Sequence, residues 1–510
     1  MKNITLEMSL KPFKQTDDKY IEDVCMILEL VASRILAPYF GSSNLVWTSV
    51  IGIILASGSI GNYLGGIVAD KPEVNKKFKF ILLISSLLIL IIPFIQDSVV
   101  TTVSILVNDI RIGAIISTII LFFLPSVFLG FLVPMVQKLK ITDLETSGEV
   151  SGKVYALATL GGIFGTFIGG FWLVPSFGSI EILFFMTISV LVLIPLVDFK
   201  VNKKELIGII LSIIILIGAM YLYSNKNDEI GKKVLAGEIN EFVSYDTEYS
   251  RILVFNRYDK NNDLIRSFTM DSGHESAAYV DENRWTELVF EYTKMYDLMF
   301  NSSKEIKDTL LIGGAGYSYP KHYISKFPDK TMDVVEIDPM VTEIARKYFY
   351  LDRLIEEYNT EETGRLKLIT EDGRTYLNRN EKKYDAILND AFSDTTPAAT
   401  LTTLEAVKNI KKSLNENGLY LTNIISSLDG ENSKFMKAEV KTLKEAFLNV
   451  YVVPCVTTDD LETPQNNMVI ATDGILEIDK SKLYELKIED EDIVLTDNFC
   501  PIDSLIPQAK

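Results

Sequence analysis

The chain is 510 residues long, 48% hydrophobic and of mean hydropathy +0.20, which leaves room for two or more domains and excludes a protein that is water-soluble along its whole length. Its 50 basic and 68 acidic residues give a formal charge of −18; the first 224 residues hold 16 of each sign, so the whole excess lies after Ser224. An acidic C-terminal half argues against nucleic acid as a partner and is compatible with a cationic substrate, a solvated acidic surface being the plainer explanation. Three cysteines (Cys25, Cys455, Cys500) and two histidines (His274, His322) have neither disulfide-framework nor metal-ligand spacing, so no metal site is expected.

The lysine-rich tail before Lys19 lacks the long apolar run of a cleavable signal. Seven spanning helices are expected: Tyr20–Phe40, Val46–Ala69, Phe80–Gln96, Gly113–Val136, Tyr155–Phe177, Ile180–Val197 and Leu206–Tyr223, with the weakly apolar Asp97–Ile112 extending one of its neighbours. Their partner is a lipid bilayer. Asp23, Glu29 and Arg34 in the first span face either a partner helix or a substrate path, since charge in lipid is expensive. Small residues (Gly58, Gly61, Gly65, Gly66; Gly161, Gly165, Gly169) mark close helix packing.

Alternate assignment of the loops puts fourteen basic residues on the side of the N-terminal tail against four on the other, which places that tail in the cytoplasm. Seven crossings would then leave the C-terminal half outside. The expected domains are residues 1–224, helical and membrane-spanning; 225–300, a small β-domain; and 301–510, an α/β domain.

In the second of these, Arg251–Phe255 and Ser267–Asp271 alternate as strands around a polar turn. In the third, Leu310–Ile312 reads as a strand, Gly313, Gly314 and Gly316 as a turn, the residues up to Lys326 as a helix, and Met332–Ile337 as a second strand ending in acid. This is a nucleotide-binding βαβ pattern, in which Glu336 stands where a ribose-binding acid belongs. Further units follow: helix Val341–Phe349, strands Leu366–Ile369 and Ala386–Asn389, helix Leu404–Leu414 and strand Leu419–Ile425. Alternating units imply a doubly wound sheet, and Glu336, Asp372 and Asp390 all fall at carboxyl ends of its strands, where ligands bind.

The ordered series GGAG, VVEID (Val334–Asp338), EDGR (Glu371–Arg374) and YDAILNDAFSD (Tyr384–Asp394) resembles the spermidine synthase (aminopropyltransferase) family. LELVASRILAPYFGSS and the closing LTDNFCPIDSL bring it nearest to the branch fused to transmembrane helices. The resemblance implies a class I methyltransferase-like (Rossmann-like) domain and a cosubstrate, S-adenosylmethionine or its decarboxylated form, with no metal. It also implies a cytoplasmic C-terminal half, where such cosubstrates are found, against the parity of seven crossings. One crossing therefore departs from the simple pattern, either the charged first span or Asp97–Ile112.

By the same resemblance Asp390 is the base, Asp394 an acceptor-side contact, Glu336 the ribose ligand and Asp372 with Gly373 the adenine side, while Gly313, Gly314 and Gly316 lie beside the methionine-derived part. Ser276 stands where the family has glutamine; Trp285 and Thr286 stand where it has tyrosine and histidine on the acceptor side; Glu287 matches. The soluble enzymes read GGGDGG, whose aspartate grips the aminopropyl amine, and this chain reads GGAGYS. The acceptor, a small-molecule amine or cation, is therefore left open. So are acceptor-independent cleavage or cyclisation of the cosubstrate, a transporter or sensor whose nucleoside-binding domain is not catalytic, and homo-oligomerisation.

Overall fold

The computed structural model describes residues 13–40, 44–107, 109–141, 143, 145–197, 203–271, 273–393, 396–456 and 460–506. Asp394 lies outside them. The chain divides into two units, Met1–Glu229 with Tyr245–Arg251, and Ile230–Ser244 with Ile252–Lys510.

The first unit is helical: α1 (Phe13–Phe40), α2 (Asn44–Ala69), α3 (Val74–Leu106), α4 (Ile110–Gly130), α5 (Leu132–Lys140), α6 (Ser147–Ile168), α7 (Ser179–Leu196) and α8 (Lys203–Leu235). Five stretches among the described residues are long and apolar enough to cross a membrane: Val46–Ala69, Val74–Leu106, Arg111–Lys140, Ser147–Ser176 and Ser179–Leu196. Of the other two expected spans, α1 holds Asp23, Glu29 and Arg34, and in α8 the apolar run among the described side chains is Leu206–Gly218. The stretch Asp97–Ile112 is divided: α3 runs on to Leu106, and Asp109 caps α4 by accepting from the Arg111 and Ile112 N–H groups.

Of the small-residue seams, Gly61, Gly65, Gly165 and Gly169 are packing positions, whereas a Cβ on Gly58 or Gly66 would meet nothing within 4 Å. A Cβ on Gly61 would overlap the Val127 carbonyl of α4, and one on Gly65 would come 2.6 Å from Phe131 Cα; on α6, one on Gly165 would come 2.6 Å from Asp23 Cα of α1. Glycine at these crossings lets the helix backbones approach closely. Glu29 is buried, and Arg34 donates from Nη1 to the Val174 carbonyl (3.3 Å), just past the π-turn Gly169–Leu173 that interrupts the ordinary helical bonding there.

The second unit opens with an antiparallel sheet, β1 (Phe242–Asp246), β2 (Arg251–Tyr258), β3 (Leu264–Met270) and β4 (Gly273–Tyr279), in sequential order. Then come β5 (Asp308–Ile312), α9 (Ser318–Lys326), β6 (Thr331–Glu336), α10 (Pro339–Tyr348), α11 (Leu351–Glu357), β7 (Leu366–Thr370), α12 (Gly373–Arg379) and β8 (Tyr384–Asn389). A two-residue pair, β9 (Phe392–Ser393) and β10 (Thr396–Pro397), precedes α13 (Leu404–Ser413), β11 (Leu414–Ser426), α14 (Lys434–Lys444), β12 (Asn449–Pro454) and β13 (Gln465–Thr472). β5 to β8 and β11 to β13 form one seven-stranded sheet in the order β12-β13-β11-β8-β5-β6-β7. β5 is parallel to both β6 and β8, β8 is parallel to β11, and β13 alone runs antiparallel to its neighbours.

Leu310, Ile312, Ile387, Tyr420 and Val469 are buried on the central strands, which read as near-continuous apolar runs because helices cover both faces. The strand order reverses between β5 and β8. In an open parallel sheet the loops at the carboxyl ends of those two strands part there and leave a crevice.

Candidate active site

Both loops at this switch point carry residues picked out by the sequence. The β5 loop begins with Gly313, whose φ of +94° is a left-handed conformation that side chains resist. Space imposes glycine as well, because a Cβ at 313 would stand 2.5 Å from the Asp390 carbonyl oxygen. The Asp390 N–H donates to the Ile312 carbonyl (2.8 Å), so the turn and the β8 loop are fastened edge to edge.

At the end of β6, Glu336 is 7% exposed. Its Oε2 accepts from the N–H groups of Gly314 (2.7 Å) and Ala315 (3.4 Å), and its Oε1 from that of Asp338 (3.0 Å). Burial pushes this carboxyl above the usual range against the pull of those donors. A carboxylate has about four acceptor positions, and three are taken by the glycine turn and its own loop. Glu336 thus shapes the turn and has one acceptor position left.

The Glu371 N–H donates to the Glu336 carbonyl (3.0 Å), bringing Asp372 alongside, where its Oδ1 accepts from the Thr375 N–H (2.8 Å) and caps α12. The LTDNFCPIDSL segment secures that helix: Asp497 pairs with Arg374 (2.8 Å) and accepts from the Thr403 hydroxyl (2.6 Å). Ser276 is buried; its hydroxyl lies 2.9 Å from that of Ser318, and a Cβ on Gly316 would meet its Oγ at 2.7 Å. Gly313, Gly314, Gly316, Ser276, Glu336, Asp372, Gly373 and Asp390 are thereby brought together at one end of the sheet.

Asp390 is partly buried at the end of β8. Burial pushes its carboxyl up to about 6, while hydrogen bonds from Tyr296, Tyr292 and Asn423 hold it down. The Tyr292 hydroxyl donates to Oδ2 (3.3 Å), and the fully buried Tyr296 also reaches the Asn389 carbonyl (3.4 Å). Asn423, on β11, donates in addition to Asn466 (3.0 Å). A carboxylate ionised at neutral pH, yet with an affinity for protons near the working pH, is suited to take a proton.

Sequence reasoning missed these three partners. Tyr292 lies on a one-turn helix and Tyr296 on the 3-10 turn that follows it, so no helical periodicity marks the pair in the sequence. Trp285 and Glu287 take their contacts elsewhere. Trp285 is buried against Tyr350 and Tyr358, with the Arg353 guanidinium 4.7 Å from its ring, and Glu287 is exposed and paired with Arg284 (2.9 Å). Among the described residues no group of three or more His, Cys, Asp or Glu is arranged to hold a metal ion.

Residues 290–473, which contain Asp390, its three partners and every strand of the large sheet, match the spermine/spermidine synthase domain. The sequence is 32% identical over 210 residues to a polyamine aminopropyltransferase of Vibrio vulnificus (strain CMCP6), an overlap of 40% of this chain and 64% of that one. It is 25% identical over 432 residues to polyamine aminopropyltransferase 2 of Aquifex aeolicus (strain VF5), covering 82% of this chain and 79% of that one. A solved probable spermidine synthase from Corynebacterium glutamicum ATCC 13032 superposes with a TM-score of 0.39 at 18% identity, covering 46% of this chain and 81% of that chain. Residues 290–473, which hold the switch-point crevice, thus form a spermine/spermidine synthase domain.

Proposed function

We propose that this protein is a membrane-anchored, aminopropyltransferase-like enzyme using S-adenosylmethionine or its decarboxylated form and releasing methylthioadenosine. A neutral amine attacks the carbon beside the sulfonium; the new C–N bond forms as the C–S bond breaks, and the electron pair returns to sulfur as a neutral thioether. The proton displaced from nitrogen passes to Asp390. Glu336 and Asp372 hold the nucleoside, and the turn at Gly313, Gly314 and Gly316 faces the three-carbon chain. The observation that carries this reading is Asp390 at the switch point, its carboxyl pushed up to about 6 and its N–H bonded to the Ile312 carbonyl just before the glycine turn. Purified protein supplied with each cosubstrate and a panel of amines should release methylthioadenosine and an aminopropylated amine. Release of S-adenosylhomocysteine in their place would overturn it.

One observation favours acceptor-independent release as a second reading. Trp285 and Thr286 stand where the family has its acceptor-side tyrosine and histidine, and Trp285 packs against Tyr350 and Tyr358. Methylthioadenosine formed without any added amine would select this reading.

The helical unit is proposed to lie in a bilayer, with the tail and the catalytic unit both cytoplasmic. An even number of crossings then requires that one of α1 and α8 cross beside the five apolar stretches and the other not. Labelling of Cys455 or Cys500 by an impermeant thiol reagent on intact cells would refute that placement.

A further inference from the structure

Tyr292 and Tyr296 lie on a short helix, Glu291–Lys294, and the 3-10 turn Met295–Asn301 that follows it, outside both sheets. Their aim at Asp390 therefore depends on what fastens this segment. The fastening converges on Asp297, the residue after Tyr296. Its Oδ1 accepts from the Tyr319 hydroxyl (3.0 Å), and its Oδ2 accepts from Lys326 Nζ (2.9 Å) and lies 3.4 Å from His322 Nε2.

The three partners stand at positions 319, 322 and 326 of α9, on one face of that helix. The Tyr296 and Tyr319 rings meet edge to face at 5.2 Å, which continues the same junction. Burial alone pushes Asp297 up, but His322 and Lys326 outweigh it and keep the carboxyl below its usual range, so the clamp is an ionised one. α9 is also the helix that starts from the glycine turn. One carboxylate thus joins the segment that donates to Asp390 with the helix that follows the cosubstrate loop.

We propose that Asp297 is a positioning residue for the transfer reaction, acting through Tyr292 and Tyr296 to hold the proton-accepting Asp390 in its working state. The inference rests on the reading of Asp390 as base. Loosening the clamp withdraws hydroxyl donors that favour the ionised carboxylate, so Asp390 becomes harder to deprotonate. The contacts of Glu336 with the glycine turn, which serve cosubstrate binding, are made by other atoms and stay.

The test is methylthioadenosine release by the full chain in detergent, measured from pH 5 to 9 for the wild type, Asp297→Asn and Tyr319→Phe. Asp297→Asn should lower kcat about tenfold, leave KM for the cosubstrate within about twofold, and move the acidic limb of kcat/KM up by about half a unit or more. Tyr319→Phe keeps the ring and removes a single donor, so it should give a smaller change in the same directions, and it decides the matter if Asp297→Asn fails to fold. A limb that stays in place, or KM rising in step with the fall in kcat, overturns the positioning role while leaving Asp390 as base. A wild type without turnover overturns both.

Discussion

Glu439, on α14, sits 2% exposed beneath the sheet with no hydrogen-bond partner for its Oε2. Burial pushes its carboxyl up to about 8 from an ordinary 4.5, so it is protonated in the folded protein at neutral pH and ionised in the unfolded chain. A pKa raised by folding contributes stability that is fully present below about pH 4.5 and is lost as pH rises to about 8. At about 1.4 kcal/mol per unit, the loss reaches roughly 3 kcal/mol at pH 7 and levels off near 5 kcal/mol above pH 8.

Glu439→Gln keeps the shape and removes the titration. Its buried amide adds a cost that does not vary with pH, so the difference between variant and wild type isolates the carboxyl. Thermal unfolding of the full chain in detergent, run at pH 5 and pH 8, should show the wild type losing stability relative to the variant by about 3 to 5 kcal/mol over that interval. Parallel curves for the two proteins would refute the reasoning and mean that Glu439 ionises within the fold at an ordinary pKa.

Gly313→Ala places a methyl group against the Asp390 carbonyl at a φ of +94° and should cost about 2 kcal/mol or more in unfolding free energy and at least about tenfold in turnover. Trp285→Ala removes a buried ring from its packing with Tyr350, Tyr358 and Arg353 and should cost about 3 to 5 kcal/mol, read by thermal unfolding, without moving the acidic limb of the rate profile. Gly61→Leu, at the crossing of α2 and α4, should reduce the folded yield in detergent while the cosubstrate affinity of whatever folds stays unchanged.

Five of the seven strands, β5 to β8 and β11, were legible as short apolar runs, and an acid ends three of them, whereas β12 and β13 were not read from the sequence. That the sheet is doubly wound followed from the alternation of strand and helix, whereas the antiparallel β13, wedged between β11 and β12, leaves no mark in local sequence. At the site, the glycine turn, Glu336, Asp372 and Asp390 were readable from spacing. The side chains that tune Asp390 were not, because Tyr292 and Tyr296 come from a one-turn helix and a 3-10 turn, and Asn423 arrives from a strand more than thirty residues downstream. For Trp285 the resemblance supplied an acceptor-side role, while its packing against Tyr350, Tyr358 and Arg353 could be seen only in the fold. Among the helices, the sequence had Asp97–Ile112 extending one neighbour without saying which; α3 takes it as far as Leu106 and α4 begins after Asp109.

The most direct measurement is the pH dependence of methylthioadenosine release by wild type and Asp390→Asn, with cosubstrate binding followed in parallel by calorimetry. Asp390 takes the proton in its ionised form, so wild-type kcat/KM should fall on the acid side with an apparent pKa near 6. Asp390→Asn should bind the cosubstrate with little change and release no methylthioadenosine above background at any pH. Release at the wild-type rate by that variant, with the acid limb intact, would contradict the assignment of Asp390 as base.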